Sequence, residues 1–335
     1  TLVITGSDDL VLSIAAAGLG QATTDAATEA TINASAHTGR LTLDLGVTAD
    51  ATASYNDMGS VSGVDEIRFG TTGSTGNKLT QIKGLVGVDT VHIDSFGDAT
   101  DDVTLALETA TGLTDTIKVL LDSKTNDAAI DGGDLTVTGI ETVTIESSGQ
   151  EAATSTTLVS NVLDAVVNNT NGSALSVTGD RVLTIGSVDA DVTTITVTNT
   201  AGSDLTIAAN NNLSYTGGTG ADRLELDNNA ALAAGDLLAG GAGEDTLAFS
   251  EIPVALSATQ LGLISGFEVV EFEATNTLGT GTVALDISAE SGLDTVYLNG
   301  AVTTTATKIL EVTALSGATI KMGAHTASGS ADDLN

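Results

Sequence analysis

The 335 residues include no cysteine and no tryptophan, only one proline, and 2% aromatic residues. Without cysteine there are no disulfides, thiolate metal sites or cysteine nucleophiles. Bases are scarce too: Lys and Arg number 10 against 44 Asp and Glu, a formal net charge of −34. That charge repels phosphate backbones and anionic lipid, which excludes nucleic acid and membrane surfaces as partners. No apolar run approaches the roughly 18 residues that span a bilayer. The three histidines, His37, His92 and His325, stand apart from one another. His92 lies in an apolar run and reads as a core or surface residue rather than a catalytic base. There is no G-x-S-x-G and no H-E-x-x-H, and few aromatics to bind sugar rings. The sequence therefore predicts no enzyme, with a polysaccharide lyase or epimerase as the weakest alternative.

Hydrophobic residues nevertheless make up 41% of the chain, so it is not a disordered acidic tail. Its core must come from Val, Ile, Leu and Ala. Period-two runs such as Leu41–Leu45, Leu135–Thr138, Ile195–Thr198 and Leu205–Ile207 read as half-buried strands. Gly-, Asn- and Asp-containing breaks between them read as turns. Helical patterning is limited to residues 155–169, expected as one short helix, and 11–22, expected as a loop or helical turn.

A longer period lies above the short one. Gly63-Val-Asp65-Glu-Ile67-Arg-Phe69 returns as Gly87-Val-Asp89-Thr-Val91-His-Ile93 and as Gly139-Ile-Glu141-Thr-Val143-Thr-Ile145. It returns again as Gly266-Phe-Glu268-Val-Val270-Glu-Phe272 and Gly292-Leu-Asp294-Thr-Val296-Tyr-Leu298. With looser copies at Asp115, Asp164 and Asp191, the acid falls at 65, 89, 115, 141, 164, 191, 222, 245, 268 and 294. The intervals are 24, 26, 26, 23, 27, 31, 23, 23 and 26. A period near 25 residues fits one coil of a parallel β-solenoid, an all-β fold whose coils bury their apolar faces by stacking. Stacked antiparallel β-sandwiches are the alternative. Parity puts the acid on the core side of its strand, because Glu141, Val143 and Ile145 share a face. An inward carboxylate at a corner needs turn N–H groups or a cation. For the generic copies a turn-capping role is the simpler expectation.

Two copies are sharper. Residues 217–225 read Gly-Gly-Thr-Gly-Ala-Asp-Arg-Leu-Glu, and 240–248 read Gly-Gly-Ala-Gly-Glu-Asp-Thr-Leu-Ala. Both match G-G-x-G-x-D-x-U-x, the calcium-binding nonapeptide of repeat-in-toxin (RTX) β-rolls. Glycines let carbonyl oxygens turn to one point, Asp adds charge, and calcium is a hard cation taking about 6–8 oxygens. Leu224 and Leu247 then point into the coil. A regular roll stacks its nonapeptides in unbroken tandem, whereas Leu226 to Ala239 intervenes here. Asp227 and Asp236 lie in or near that stretch, as extra ligands or as solvated turn residues. Asp8-Asp9, Asp101-Asp102 and Asp131-Gly-Gly-Asp134 are weaker acidic clusters, simplest as solvated turns.

The stretch 193–273, with TITVTNT, GSDLTI, both nonapeptides and ISGFEVVEFE in that order, resembles RTX-type surface-layer (S-layer) proteins of Gram-negative bacteria. Composition extends the likeness loosely over the whole chain. The resemblance implies export by type I secretion, folding outside the cell when Ca2+ is available, and self-association into a lattice on the cell surface. It also implies calcium ligation by the turns containing Gly218, Thr219, Gly220 and Asp222, and Gly241, Ala242, Gly243 and Asp245, with Asp236 as a further candidate. Attachment to outer-membrane polysaccharide would reside in a part not present here. An RTX repeat adhesin or biofilm-matrix fibre is the alternative. The sequence opens on Thr1 without a signal peptide, and Ala331–Asn335 reads like the start of another repeat, so the chain is expected to be processed or a piece of a longer protein. Two regions are expected: a repetitive β region over 1–200 and the nonapeptide-bearing region over 201–335.

Overall fold

The computed structural model describes residues 1–14, 31–49, 53–55, 61–72, 79–110, 112, 114–123, 128–149, 159–208, 212–227, 232–250, 255–256, 260, 262–273, 282–286, 292–299, 309–313 and 319–322. His325 and Ala331–Asn335 lie outside them. Contacts divide the chain into two compact units, Thr1–Val192 and Thr193–Asn335.

Within each unit the chain alternates between two sheets. In the first, Leu79–Leu85, Asp102–Leu107, Asp131–Thr138, Asn161–Asn168 and Leu183–Val188 neighbour one another in one sheet. Glu66–Thr72, Thr90–Ser95, Thr116–Ser123, Thr142–Gly149 and Ser173–Gly179 do so in the other. In the second unit, Ser203–Ile207, Asp222–Leu226, Thr246–Phe249, Val269–Phe272, Thr295–Leu298 and Thr319–Met322 alternate with Ser214–Thr216, Leu237–Ala239 and Ile264–Ser265. Neighbouring strands run parallel. Parallel pairing between strands one coil apart makes the protein a β-solenoid and excludes the antiparallel sandwich.

Register places like on like. Ile67, Val91, Val119, Ile145 and Val177 form one inward column, each with no exposed surface. Leu205, Leu224, Leu247, Val270 and Val296 form its counterpart in the second unit. Beside it, Ile207, Leu226, Phe249 and Phe272 stack, with Phe249 and Phe272 ring centroids 5.7 Å apart. Burying each such side chain contributes about 1.5–3 kcal/mol, and every inward position of a coil is covered by the next coil.

The Gly-x-acid phrase makes the corner. Gly63, Gly87, Gly139 and Gly266 have φ of 72°, 71°, 71° and 66°, a left-handed conformation suited to glycine. The residue after each (Val64, Val88, Ile140, Phe267) is buried and plugs the core from the corner.

Two sequence expectations are corrected. Residues 161–168 of the stretch 155–169 form a strand rather than a helix, and Val11–Ser13 of the stretch 11–22 belong to a strand rather than a loop or helical turn; residues 15–22 and 155–158 lie outside the described residues. Asp164 is not a corner acid: it is exposed in mid-strand, and the coil corner falls at Gly172, whose N–H bonds Asp191 O at 2.9 Å. The 31-residue interval from Asp191 to Asp222 arises because the chain traverses three strands there (Val192–Val197, Ser203–Ile207 and Ser214–Thr216) rather than two.

Candidate metal centre

The two nonapeptides occupy the same corner of successive coils in the second unit. Gly217 N–H donates to Ala239 O (2.7 Å), Gly240 N–H to Ser265 O (2.9 Å), and Ala242 N–H to Gly218 O (2.8 Å). The turns lie so close that a Cβ on Gly217 would sit 1.7 Å from Gly240 O. One on Gly241 would sit 2.5 Å from Gly218 O, and one on Gly243 2.3 Å from Gly220 O. These glycines are required by backbone-on-backbone stacking, which no rotamer change relieves. Thr219 and Ala242, at the variable positions, face outward.

Asp222 and Asp245 are 1% and 0% exposed, as their parity with Leu224 and Leu247 requires. Asp222 Oδ2 accepts the Gly218 N–H (2.8 Å), and its Oδ1 accepts the Ser203 hydroxyl (2.8 Å). Asp245 Oδ1 accepts the Asp222 N–H (2.8 Å), and Glu268 Oε2 accepts the Asp245 N–H (2.8 Å). Each acid thus caps the backbone of the preceding coil. The generic copies do the same: Asp65 accepts from Leu41 N–H (2.7 Å) and Glu141 from Asp115 N–H (2.8 Å).

This capping leaves a residue of unmet charge. Asp245 Oδ2 is buried without a hydrogen-bond partner. Among the described residues no ion pair involves Asp222, Asp245 or Glu268. Burial raises the pKa of Asp222, opposed by the Gly218 amide and the Ser203 hydroxyl. Asp245 is pushed up to about 6, first by burial and then by the charges of Asp222 and Glu268, against the pull of the Asp222 amide.

Asp236 belongs to a different turn. It is 2% exposed, and its oxygens accept the Leu213 N–H (2.7 Å) and the Ala233 N–H (2.6 Å). Asp227 is exposed. Asp102 lies opposite Asp134 in the sheet and accepts its N–H (2.8 Å), so two of the weaker clusters meet. Among the described residues no group of three or more His, Asp or Glu side chains converges as a metal cage. The donor chemistry at 217–245 nevertheless fits a hard cation: two buried carboxylates, an orphaned carboxylate oxygen, and turn carbonyls set close by the glycines.

A second charged network escaped the sequence reading. On the outward face of the second unit, Arg223 pairs with Asp204 (3.0 Å), Glu225 (2.9 Å), Glu271 (3.0 Å) and Glu273. Glu225 shares the Arg223 strand, but Asp204, Glu271 and Glu273 stand on or beside other strands, so spacing alone carried no signal. His92 is buried, with Nδ1 3.4 Å from Glu66 Oε1 and Nε2 3.1 Å from Asp122 O.

Comparison with protein families, with curated proteins and with solved structures returned no match to this chain.

Proposed function

We propose that the chain is a calcium-stabilised structural solenoid, exported and assembled on a bacterial cell surface as a building block of an S-layer lattice. The observation that carries the calcium part is the stacked column Asp222–Asp245–Glu268. It is a run of stacked carboxylates, none of which forms an ion pair among the described residues, at and beside the two turns that match the RTX nonapeptide. Calcium, when bound, supplies the missing counter-charge and gathers oxygen ligands. The protein's own part is to hold Asp222 and Asp245 in register, to bring the carbonyls close through Gly217–Gly220 and Gly240–Gly243, and to keep the acids dry between apolar columns. Metal binding to such a site is folding free energy, so folding is favoured where calcium is plentiful. The lattice part rests on the repeat architecture, the composition and the resemblance of residues 193–273.

Far-UV circular dichroism and thermal melting in calcium and in EGTA test the first part; identical spectra and melting points would exclude it. Negative-stain electron microscopy of protein dialysed into calcium tests the second. Two-dimensional arrays support the lattice, isolated fibres replace it with the adhesin or matrix-fibre reading, and dispersed particles in both buffers overturn self-assembly.

A further inference from the structure

One sheet of the second unit turns a face outward that carries no charge. Its strands Val192–Val197, Ser214–Thr216, Leu237–Ala239 and Ile264–Ser265 lie side by side. Register puts Thr194, Ser214 and Leu237 in one outward row. It puts Thr196, Thr216, Ala239 and Ser265 in the next. The residues between them, Ile195, Tyr215, Leu238 and Ile264, are buried, so alternation along the strands fixes the direction. Neither row holds an Asp, Glu, Lys or Arg. Leu237 is 63% exposed there, and half-buried Leu263, one residue before Ile264, extends its row. Other outward sheet faces are charged. The second sheet of this unit presents Arg223 with its carboxylates, and the first unit presents the pairs Arg68–Asp44 and Lys118–Glu146.

A body of net charge −34 repels its own copies, and least where two charge-free faces meet. Interface cores are poor in charged residues and carry apolar anchors with polar groups around them. Leu237 and Leu263 among Thr, Ser and Ala give this face that anatomy. Charge also selects the occupant. A basic partner would find no carboxylate in these rows and would sit on the acids elsewhere, and a sugar polymer would find no aromatic ring in them. We propose that this face packs against the same face of a second copy, as one contact of the lattice. The inference rests on the self-assembly reading above and adds the surface that carries it. Four short strands about 4.8 Å apart present far less than the roughly 800 Å² per partner of a stable complex. The contact is therefore weak singly and gains strength by repetition across an array.

Charge placed on the face of the intact chain tests it. Leu237→Asp with Thr196→Glu adds two acids at exposed outward positions, and thermal melting checks that the fold is kept. Thr104→Glu with Thr136→Glu adds the same charge to paired positions in a sheet of the first unit, as a control. In negative-stain electron microscopy of protein dialysed into calcium, wild type and control should form arrays and the face variant should stay dispersed. Arrays from the face variant, or their loss in the control as well, overturn this face and leave the lattice reading intact. If wild type forms no arrays, both fall. A second measurement holds even if the face variant misfolds. The chain has 0 Cys, so Thr216→Cys supplies a single thiol on the exposed face. A short bismaleimide should join its copies into covalent dimers, and should not join those of Val86→Cys, 43% exposed on the first unit. Dimers from both variants, or from neither, overturn the face-to-face contact.

Discussion

Asp245 accepts the Asp222 amide with one oxygen and holds the other in the core without a donor, between two further acids. Its folded pKa, about 6, stands above its ordinary 3.8, so the folded state holds this proton more tightly than the unfolded chain does. The stabilisation is fully present below about 4 and is lost as pH rises through about 6. In EGTA the melting point should therefore fall across this window, and Asp245→Asn should flatten the fall and melt higher than wild type at pH near 7. In calcium the order should reverse; a variant that is the less stable in both buffers would refute the account. Glu66 behaves oppositely. The His92 hydrogen bond chiefly, and then Arg40, hold it down to about 2 against an ordinary 4.5. Its contribution is present above about 4.5 and lost as pH falls through about 2, so Glu66→Gln should destabilise at neutral pH and converge on wild type in acid. Asn161 carries no charge but occupies a comparable corner. Its Oδ1 accepts the Ile130 N–H (2.9 Å), and its Nδ2 reaches Leu121 O (3.3 Å), Ser147 Oγ (3.0 Å) and Ser148 O (3.1 Å). Asn161→Ala strands these buried groups and should cost about 2–3 kcal/mol in a urea melt.

The strands and corners were legible in sequence wherever side-chain parity stays regular, as in Thr116–Ser123 and over 142–148, which bury alternate residues without a break. It slips elsewhere. In Asn161–Asn168 the inward residues are Leu163 and then Val166, with Asp164 and Ala165 between them. The neighbouring strands slip at the matching place: Leu163 and Val166 pair with Gly132 and Leu135 on one side and with Ile185 and Val188 on the other. An inward spacing of three is the spacing of a helix, which is why this segment read as one, and the slip turns Asp164 outward although it fits the 25-residue count. The nonapeptide corner was legible because glycine and aspartate recur at fixed offsets. The Arg223 network was not, because its ring of carboxylates depends on which strands stack. Corner glycines also divide in a way sequence does not show. Gly172 has a φ of 79° and open space around its missing Cβ, so Gly172→Ala meets only left-handed strain, about 1–2 kcal/mol. Gly217 lacks that φ, yet its Cβ would lie 1.7 Å from Gly240 O. Gly217→Ala should therefore lower the urea midpoint far more than Gly172→Ala; equal shifts would mean the turns are not tightly stacked.

Across the molecule, 10 bases face 44 acids, and five of the seven described bases are already engaged. Arg40, Arg68, Lys118 and Arg223 bind carboxylates, and Arg181 binds the carbonyls of Val159 and Ala128. Most of the negative charge therefore has no base beside it, and it disfavours the compact state through self-repulsion. Two kinds of counter-ion act on it differently. Monovalent salt screens exposed acids over a Debye length of about 10 Å at 0.1 M but reaches a buried pair such as Asp222 and Asp245 far less. Sodium chloride added in EGTA should thus raise the melting point gradually and without saturation at low concentration. Calcium at matched ionic strength should raise it further and saturate, as a ligand that binds only the folded state must. Magnesium should fall between them, because it is smaller, holds its waters and demands octahedral geometry that stacked turn carbonyls do not offer. Equal shifts from all three salts would mean that the acids attract only a diffuse cloud of cations. A calcium shift retained in the double variant Asp222→Asn with Asp245→Asn would place the stabilising ion elsewhere among the 44 acids.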